Sequence, residues 1–225
     1  MTTVPTLTRF KSQHRHQQFL PLLAVTFVIW LLYRILFVFP VWFDESIGKF
    51  IFFGLPVWLY VIVAQTRVIF NSMSAKKLIP GLYLGLAFGG LYGFIGTVSF
   101  VADHHQFSNA LLFLTPEFWW EFFLALLTGF WESLFFFGWV LAIAEKRFPS
   151  WDMTKMLAFT ALVFILFHIP NTILRFPVSL IIPQIILLGF FSVGQALLFI
   201  RYRNIYTLAI SHAIWGMVLL IYGSY

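Results

Sequence analysis

The sequence predicts an all-α polytopic membrane protein, a bundle of about seven transmembrane helices with its amino terminus in the cytoplasm. Three observations predict it: the composition, the length of the apolar runs, and the sides of those runs on which the basic residues fall. Of the 225 residues, 61% are apolar, 21% aromatic and only 10% charged. Soluble domains sit near about 45–50% apolar and about 25% charged. At a mean hydropathy of +0.91, a surface folded in water would carry large apolar patches, so lipid must be the solvent for most of the chain.

A helix rising about 1.5 Å per residue needs about 20 apolar residues to cross about 30 Å of hydrocarbon. Seven runs meet that requirement, near Leu20 to Phe39, Phe50 to Ile69, Gly81 to Ala102, Glu117 to Ala144, Met156 to Ile169, Ser179 to Ile200 and Ile205 to Tyr222. The first follows a basic leader carrying Arg9, Lys11 and Arg15. It is long enough to span and lacks a small-x-small cleavage site, so it reads as a retained helix rather than a signal peptide. The chain thus divides into a basic cytoplasmic segment, 1–18, and one transmembrane domain, 19–225, whose motif-bearing core is 117–222. Polar connections fall at Asp44-Glu45, Asn71 to Lys77, Asp103-His104-His105 and Phe148 to Asp152. The fourth run is longer than a perpendicular helix needs, and is expected to tilt or to begin as an interfacial segment at Phe118-Trp119-Trp120.

Short cytoplasmic loops hold an excess of Lys and Arg. With the amino terminus inside, eleven of the fourteen fall on inner segments, Lys49 and Arg175 fall outside, and Arg34 lies within the first span. The net charge of +6 is scattered between apolar runs rather than gathered into a stripe, so no nucleic-acid partner is expected. The absence of cysteine excludes disulfides, thiolate metal sites and a cysteine nucleophile.

Ionisable groups deep in a membrane are costly and mark functional sites. Three stand inside the runs: Glu132, His168 and His212. Measured from Lys146, Lys155 and Arg203 at the helical rise, they lie about 21, 20 and 14 Å deep, close enough to share one layer. A carboxylate meeting two imidazoles where hydrocarbon excludes water makes a hydrolytic site, with Glu132 as general base toward water. The imidazoles would bind a metal, polarise a carbonyl or stabilise an oxyanion; hydrogen bonding between helices is the plain alternative for each. Glu121 and Thr128 share the helical face of Glu132 and are expected to line the same cavity. Gln184 and Gln195 form a similar stripe on the sixth run. A haem held by His168 and His212 would leave Glu132 without a role, so no haem is expected.

The same segments resemble, in order and context, the CPBP family of intramembrane proteases, which includes the type II CAAX prenyl endopeptidases and the Abi, or bacteriocin-processing and self-immunity, proteins. The family pattern is Glu-Glu-x-x-x-Arg, then Phe-x-x-x-His, then His-x-x-x-Asn or Asp. Glu132 takes the first Glu, Phe164 and His168 match the second motif, and His212 opens the third. Phe136, Gly138 and the run from Gly189 through Gly194, Tyr206, Ile210 and Ser211 also match. Three positions depart: Ser133 replaces the second Glu, Phe137 the Arg, and Gly216 the final Asn or Asp.

The resemblance implies a glutamate-dependent intramembrane protease, a metalloprotease if a divalent ion such as zinc binds at His168 and His212. Two imidazoles and one carboxylate underfill a zinc site unless waters complete it. The catalytic set so implied is Glu132, His168 and His212, with Ser133, Phe164 and Gly216 joining Glu121 and Thr128 along the cavity. The implied partners are a membrane-embedded or lipidated peptide or protein substrate and membrane lipids, and the implied location is a prokaryotic plasma membrane, crossed several times. The three departures leave a second expectation, a catalytically impaired member serving as a membrane binding, immunity or regulatory protein.

Overall fold

Within hydrocarbon a backbone must satisfy its own hydrogen bonds, and each apolar run does so as a helix. The computed structural model describes residues 16–105 and 116–222; Arg9, Lys11 and Arg15 of the basic leader lie outside them. Seven helices carry the fold: α1 (Phe19–Leu36), α2 (Val41–Ala64), α3 (Leu78–His104), α4 (Pro116–Arg147), α5 (Met153–Arg175), α6 (Val178–Tyr202) and α7 (Ile205–Tyr222). A short helix, Val68–Ser72, and a 3-10 turn, Ala75–Lys77, lead into α3. No strand occurs among the described residues. Six spans among them are long and apolar enough to cross a membrane, and α7 is a shorter apolar helix. The chain is therefore an integral, multi-pass, all-α membrane protein.

Helix α3 runs on through Asp103 and His104, which the sequence placed in a connection, and two further differences from the sequence expectation matter to the site. The second begins at Val41 rather than near Phe50, so Asp44, Glu45 and Lys49 stand inside a helix and not in an outer connection. Each is retained there by a partner. Asp44 accepts from the Tyr33 hydroxyl and pairs with Arg34 Nη1 at 2.7 Å, Glu45 engages Thr128 and Arg175, and Lys49 meets Glu132. The fifth helix runs through Pro170 to Arg175 rather than stopping at Ile169. Proline removes one backbone donor, and the Thr172 hydroxyl, donating to the His168 carbonyl at 3.0 Å, adds a bond across that turn.

The helix α4 forms the centre of the bundle: Leu134 to Ala144 are all buried. Around it pack Trp30, Phe53, Phe164 and Phe167, with Phe136 and Phe164 ring centres 4.8 Å apart. Trp119 and Trp120 stand exposed near the start of α4. Both α2 and α4 widen into π-helical turns, at Asp44–Gly48 and Phe50–Gly54 and at Leu134–Leu141. Such turns rotate the side chains that flank them relative to an α-helix.

Helix α7 is held by small residues. A Cβ added at Gly85 or Gly89 of α3 would come within 2.6 Å of Ile210 or 2.4 Å of Ile214. At Gly129 of α4 it would meet the Ala209 carbonyl oxygen at 2.6 Å and the His212 Cβ at 3.3 Å. This close approach of backbones brings the α4 segment bearing Glu132 against the α7 segment bearing His212. At the other end of the bundle, Arg203 grips Glu145 through two bonds of 2.5 and 2.7 Å, tying α4 to the turn between α6 and α7. The contact at Gly129 is backbone, which cannot move aside as a side chain would. Gly129→Ala should therefore destabilise the protein by about 1–3 kcal/mol in thermal unfolding in detergent. Gly90→Ala, at a position with open space around it, should be neutral or slightly stabilising.

Candidate active site

Four helices converge on one carboxylate. Helix α4 supplies Glu132, α5 His168, α7 His212 and α2 Lys49. Glu132 is 2% exposed and Lys49 5%. The Lys49 ammonium pairs directly with Glu132 Oε1. The other oxygen, Oε2, faces both imidazoles, 3.3 Å from His168 Nε2 and 3.4 Å from His212 Nε2. Although buried, it has no hydrogen-bond partner of normal geometry among the protein's groups.

The orientation of His168 has a local cause. Its Nδ1 lies 2.7 Å from the Phe164 carbonyl oxygen, one turn earlier on α5. A carbonyl only accepts, so Nδ1 carries the hydrogen and Nε2 of the neutral ring is left as an acceptor. The Phe164 ring stacks on the imidazole at 4.1 Å and 22°. Phe-x-x-x-His thus acts as one unit in which Phe164 supplies both the carbonyl and the stacking face. In that neutral tautomer His168 Nε2 and Glu132 Oε2 are two acceptors 3.3 Å apart. That arrangement suits a hydrogen-bond donor such as water, lying about 2.8 Å from both. His212 packs edge-on against Phe191 at 4.8 Å, and its Nδ1 is buried without a hydrogen-bond partner. Behind it, Gln195 donates to Ser211 Oγ at 3.0 Å, both residues fully buried, which fixes α6 against α7. Gln195 therefore has a structural bond here, and half-buried Gln184 stands about 16 Å farther along α6.

The remaining sequence candidates fall into place unevenly. Thr128, half-buried one turn before Glu132, donates to Glu45 Oε2 at 2.6 Å, so it bonds α2 and does not face the imidazoles. Glu121 is half-buried about 16 Å away along the helix and does not join the cluster. Ser133 is fully buried, with its hydroxyl unpartnered. Phe137 is fully buried against Phe164, so the place of a charged pair in the motif is taken by apolar packing. Gly216 lies one turn beyond His212 with open space where a side chain would project.

Sequence reasoning missed Lys49 and Glu45, assigning the first to an outer segment as a topology determinant. A signal was present. The two are spaced i,i+4 and so share a helical face, and they adjoin an apolar run that could be extended backward to include them. Their Nζ and Oε2 atoms stand 4.0 Å apart. Glu45 also meets Arg175 Nη2 at 3.7 Å, so alternating charges run from half-exposed Arg175 through Glu45 and Lys49 to Glu132.

The donor set was tested for a metal. Among the described residues no group of three His, Cys, Asp or Glu side chains is disposed to hold an ion. The chemistry agrees: the carboxylate that would complete a set with His168 and His212 already carries the Lys49 ammonium, a positive charge that opposes a divalent cation at the same group. The residues do not fit a metal as arranged, and no step below passes through one.

Fold and cluster define the class: a multi-pass helical membrane protein with an acid–imidazole–ammonium site buried between its helices. Residues 114–218 match the family described as Rce1-like, type II CAAX prenyl endopeptidase. The match, just under half of the chain, supports membership of the CPBP family that the motif order implies, and it contains Glu132, His168 and His212. Comparison with curated proteins and with solved structures gives no match.

A buried ion pair is costly to break from one side only. Glu132→Gln should destabilise the fold by about 3–5 kcal/mol by leaving the Lys49 ammonium without its counter-charge, and Lys49→Met combined with Glu132→Gln should recover most of that loss. A double-mutant cycle of unfolding in detergent measures it; additive losses would show that the pair is not coupled.

Proposed function

We propose that the protein is an intramembrane endopeptidase of the type II CAAX prenyl endopeptidase kind, hydrolysing a peptide bond of a membrane-embedded or lipidated substrate. We place it in a prokaryotic plasma membrane with its amino terminus in the cytoplasm. The observation that carries the reading is the buried Glu132 Oε2, free of any hydrogen-bond partner and aimed at two imidazole nitrogens. The family match over 114–218 supports the same reaction class.

In this reading a water donates one hydrogen to Oε2 and the other to His168 Nε2. Glu132 takes its proton as the water oxygen attacks the scissile carbonyl carbon, and the carbonyl oxygen becomes an oxyanion. His212, in the tautomer that carries its hydrogen on Nε2, donates to that oxyanion. Collapse of the tetrahedral species breaks the carbon–nitrogen bond, and Glu132 returns the proton to the leaving amine. One water is consumed, and a carboxylic acid and an amine are formed. The apolar wall of Phe136, Phe164 and Phe191 excludes bulk water and strengthens each of these interactions.

The test is cleavage of a pool of lipidated and unlipidated peptides by purified protein, read by mass spectrometry. Glu132→Gln should lower the rate at least about 10²–10⁴-fold, the contribution of a general base, while the variant still inserts into membranes. Cleavage at an undiminished rate would refute the reading. A chelator should leave the unaltered protein active; loss of activity restored by zinc would show that the imidazoles rearrange around an ion.

Gly216 supplies a test in the opposite direction. The family pattern has Asn or Asp there, and open space is ready to receive it. Gly216→Asn should fold normally and raise kcat by about 10²-fold if its amide reaches the oxyanion, the order of effect of one such donor.

A further inference from the structure

The charge that meets Glu132 comes from outside the matched segment. Lys49 belongs to α2, whereas the match covers 114–218, and none of the three motifs calls for a cation on that helix. Yet its ammonium is the one protein group that forms a hydrogen bond with the Glu132 carboxylate among the described residues. Where the motif has Arg on the Glu-bearing helix, this chain has Phe137, fully buried among aromatic rings.

We propose that Lys49 is the positioning residue of Glu132: by holding Oε1 it turns Oε2 toward His168 and His212, supplying from α2 the cation that the motif would place on α4. The inference rests on the endopeptidase reading and adds to it a residue on which the geometry of the base depends. A carboxylate has two equivalent oxygens and turns readily about its last bond. A cation that grips one oxygen fixes the direction of the other.

Lys49 is itself held. Its ammonium lies 5.5 Å from the Trp30 ring centre and 5.2 Å from that of Phe53, within reach of a cation–π attraction. Glu45, one helical turn earlier, stands 4.0 Å away. That carboxylate is in turn anchored by the Thr128 hydroxyl at 2.6 Å and by Arg175 at 3.7 Å. Lys49 also sits between the two π-helical stretches of α2, where the widened turns set the direction of its side chain. A cation present only to orient the protein in the membrane has no need of such a cradle.

The experiment compares Lys49→Met and Lys49→Arg with the unaltered protein, using whichever peptide of the pool the unaltered protein cuts fastest. Thermal unfolding and size-exclusion profiles select variants that remain folded. Lys49→Met should lower kcat about 10²-fold, the scale of an angstrom-level misplacement of a reacting group, with KM within about threefold, because binding does not depend on the direction of Oε2. Lys49→Arg, which keeps the charge and can still grip one oxygen, should recover a tenth or more of the rate. An unchanged kcat in Lys49→Met, a change in KM alone, or an arginine variant no better than the methionine one would overturn the proposal.

Infrared spectroscopy gives a readout free of turnover. The carboxylate bands of Glu132, assigned by difference against Glu132→Gln, should change in Lys49→Met and persist in Lys49→Arg; bands unmoved by Lys49→Met would also overturn it. The two readings fail separately. Activity retained by Glu132→Gln sinks the endopeptidase assignment, whereas activity lost in Glu132→Gln but retained in Lys49→Met sinks only the role of Lys49.

Discussion

The structure depends on a buried ion pair between helices that are far apart in sequence. Lys49 and Glu132 are both taken out of water, and each is tolerable in hydrocarbon only because the other is there. The pairing ties α2 to α4, and α4 is the helix around which the others pack. It also divides the carboxylate into one oxygen that is engaged and one that is available.

Bringing a third and a fourth helix to the same carboxylate requires close backbone approach. Gly129 allows α4 to touch the α7 backbone next to His212, and glycines of α3 clamp α7 from its other side. On α5 the work is local: the Phe164 carbonyl fixes the ring of His168 from one turn away, and its phenyl ring covers it. The aromatic residues are divided between two places. Some are exposed, as at Trp119 and Trp120, and others, Phe136, Phe164 and Phe191, are buried around the site.

The departures from the family pattern make sense as a set. Ser133 and Phe137 stand where the motif has an acid and a base, and both are wholly buried. Replacing two partners of a buried charge pair by packed neutral groups costs little, whereas losing one costs much. The chain keeps one cation beside the buried Glu132 carboxylate, carried by α2. Gly216 differs in kind: it removes a polar group without filling its place, and the space beside it remains open.

Composition and periodicity determined the solvent and the helical class, because those depend on summed hydropathy along contiguous residues. The order of motifs marked Glu132, His168 and His212 for the same reason: a charge inside an apolar run is visible one residue at a time. Direction and partnership were not visible. Lys49 and Glu45 look like loop residues in a linear reading, since a charge bordering an apolar run is usually solvated, and only contact with Glu132, Thr128 and Arg175 makes it favourable for α2 to extend over them. Likewise, Thr128 shares a face with Glu132 yet bonds Glu45 of α2 rather than an imidazole, and Glu121 shares it yet lies too far along the axis. Tertiary structure decided those matters because they are set by which helices cross, at which small residues, and by the cost of leaving a buried charge alone.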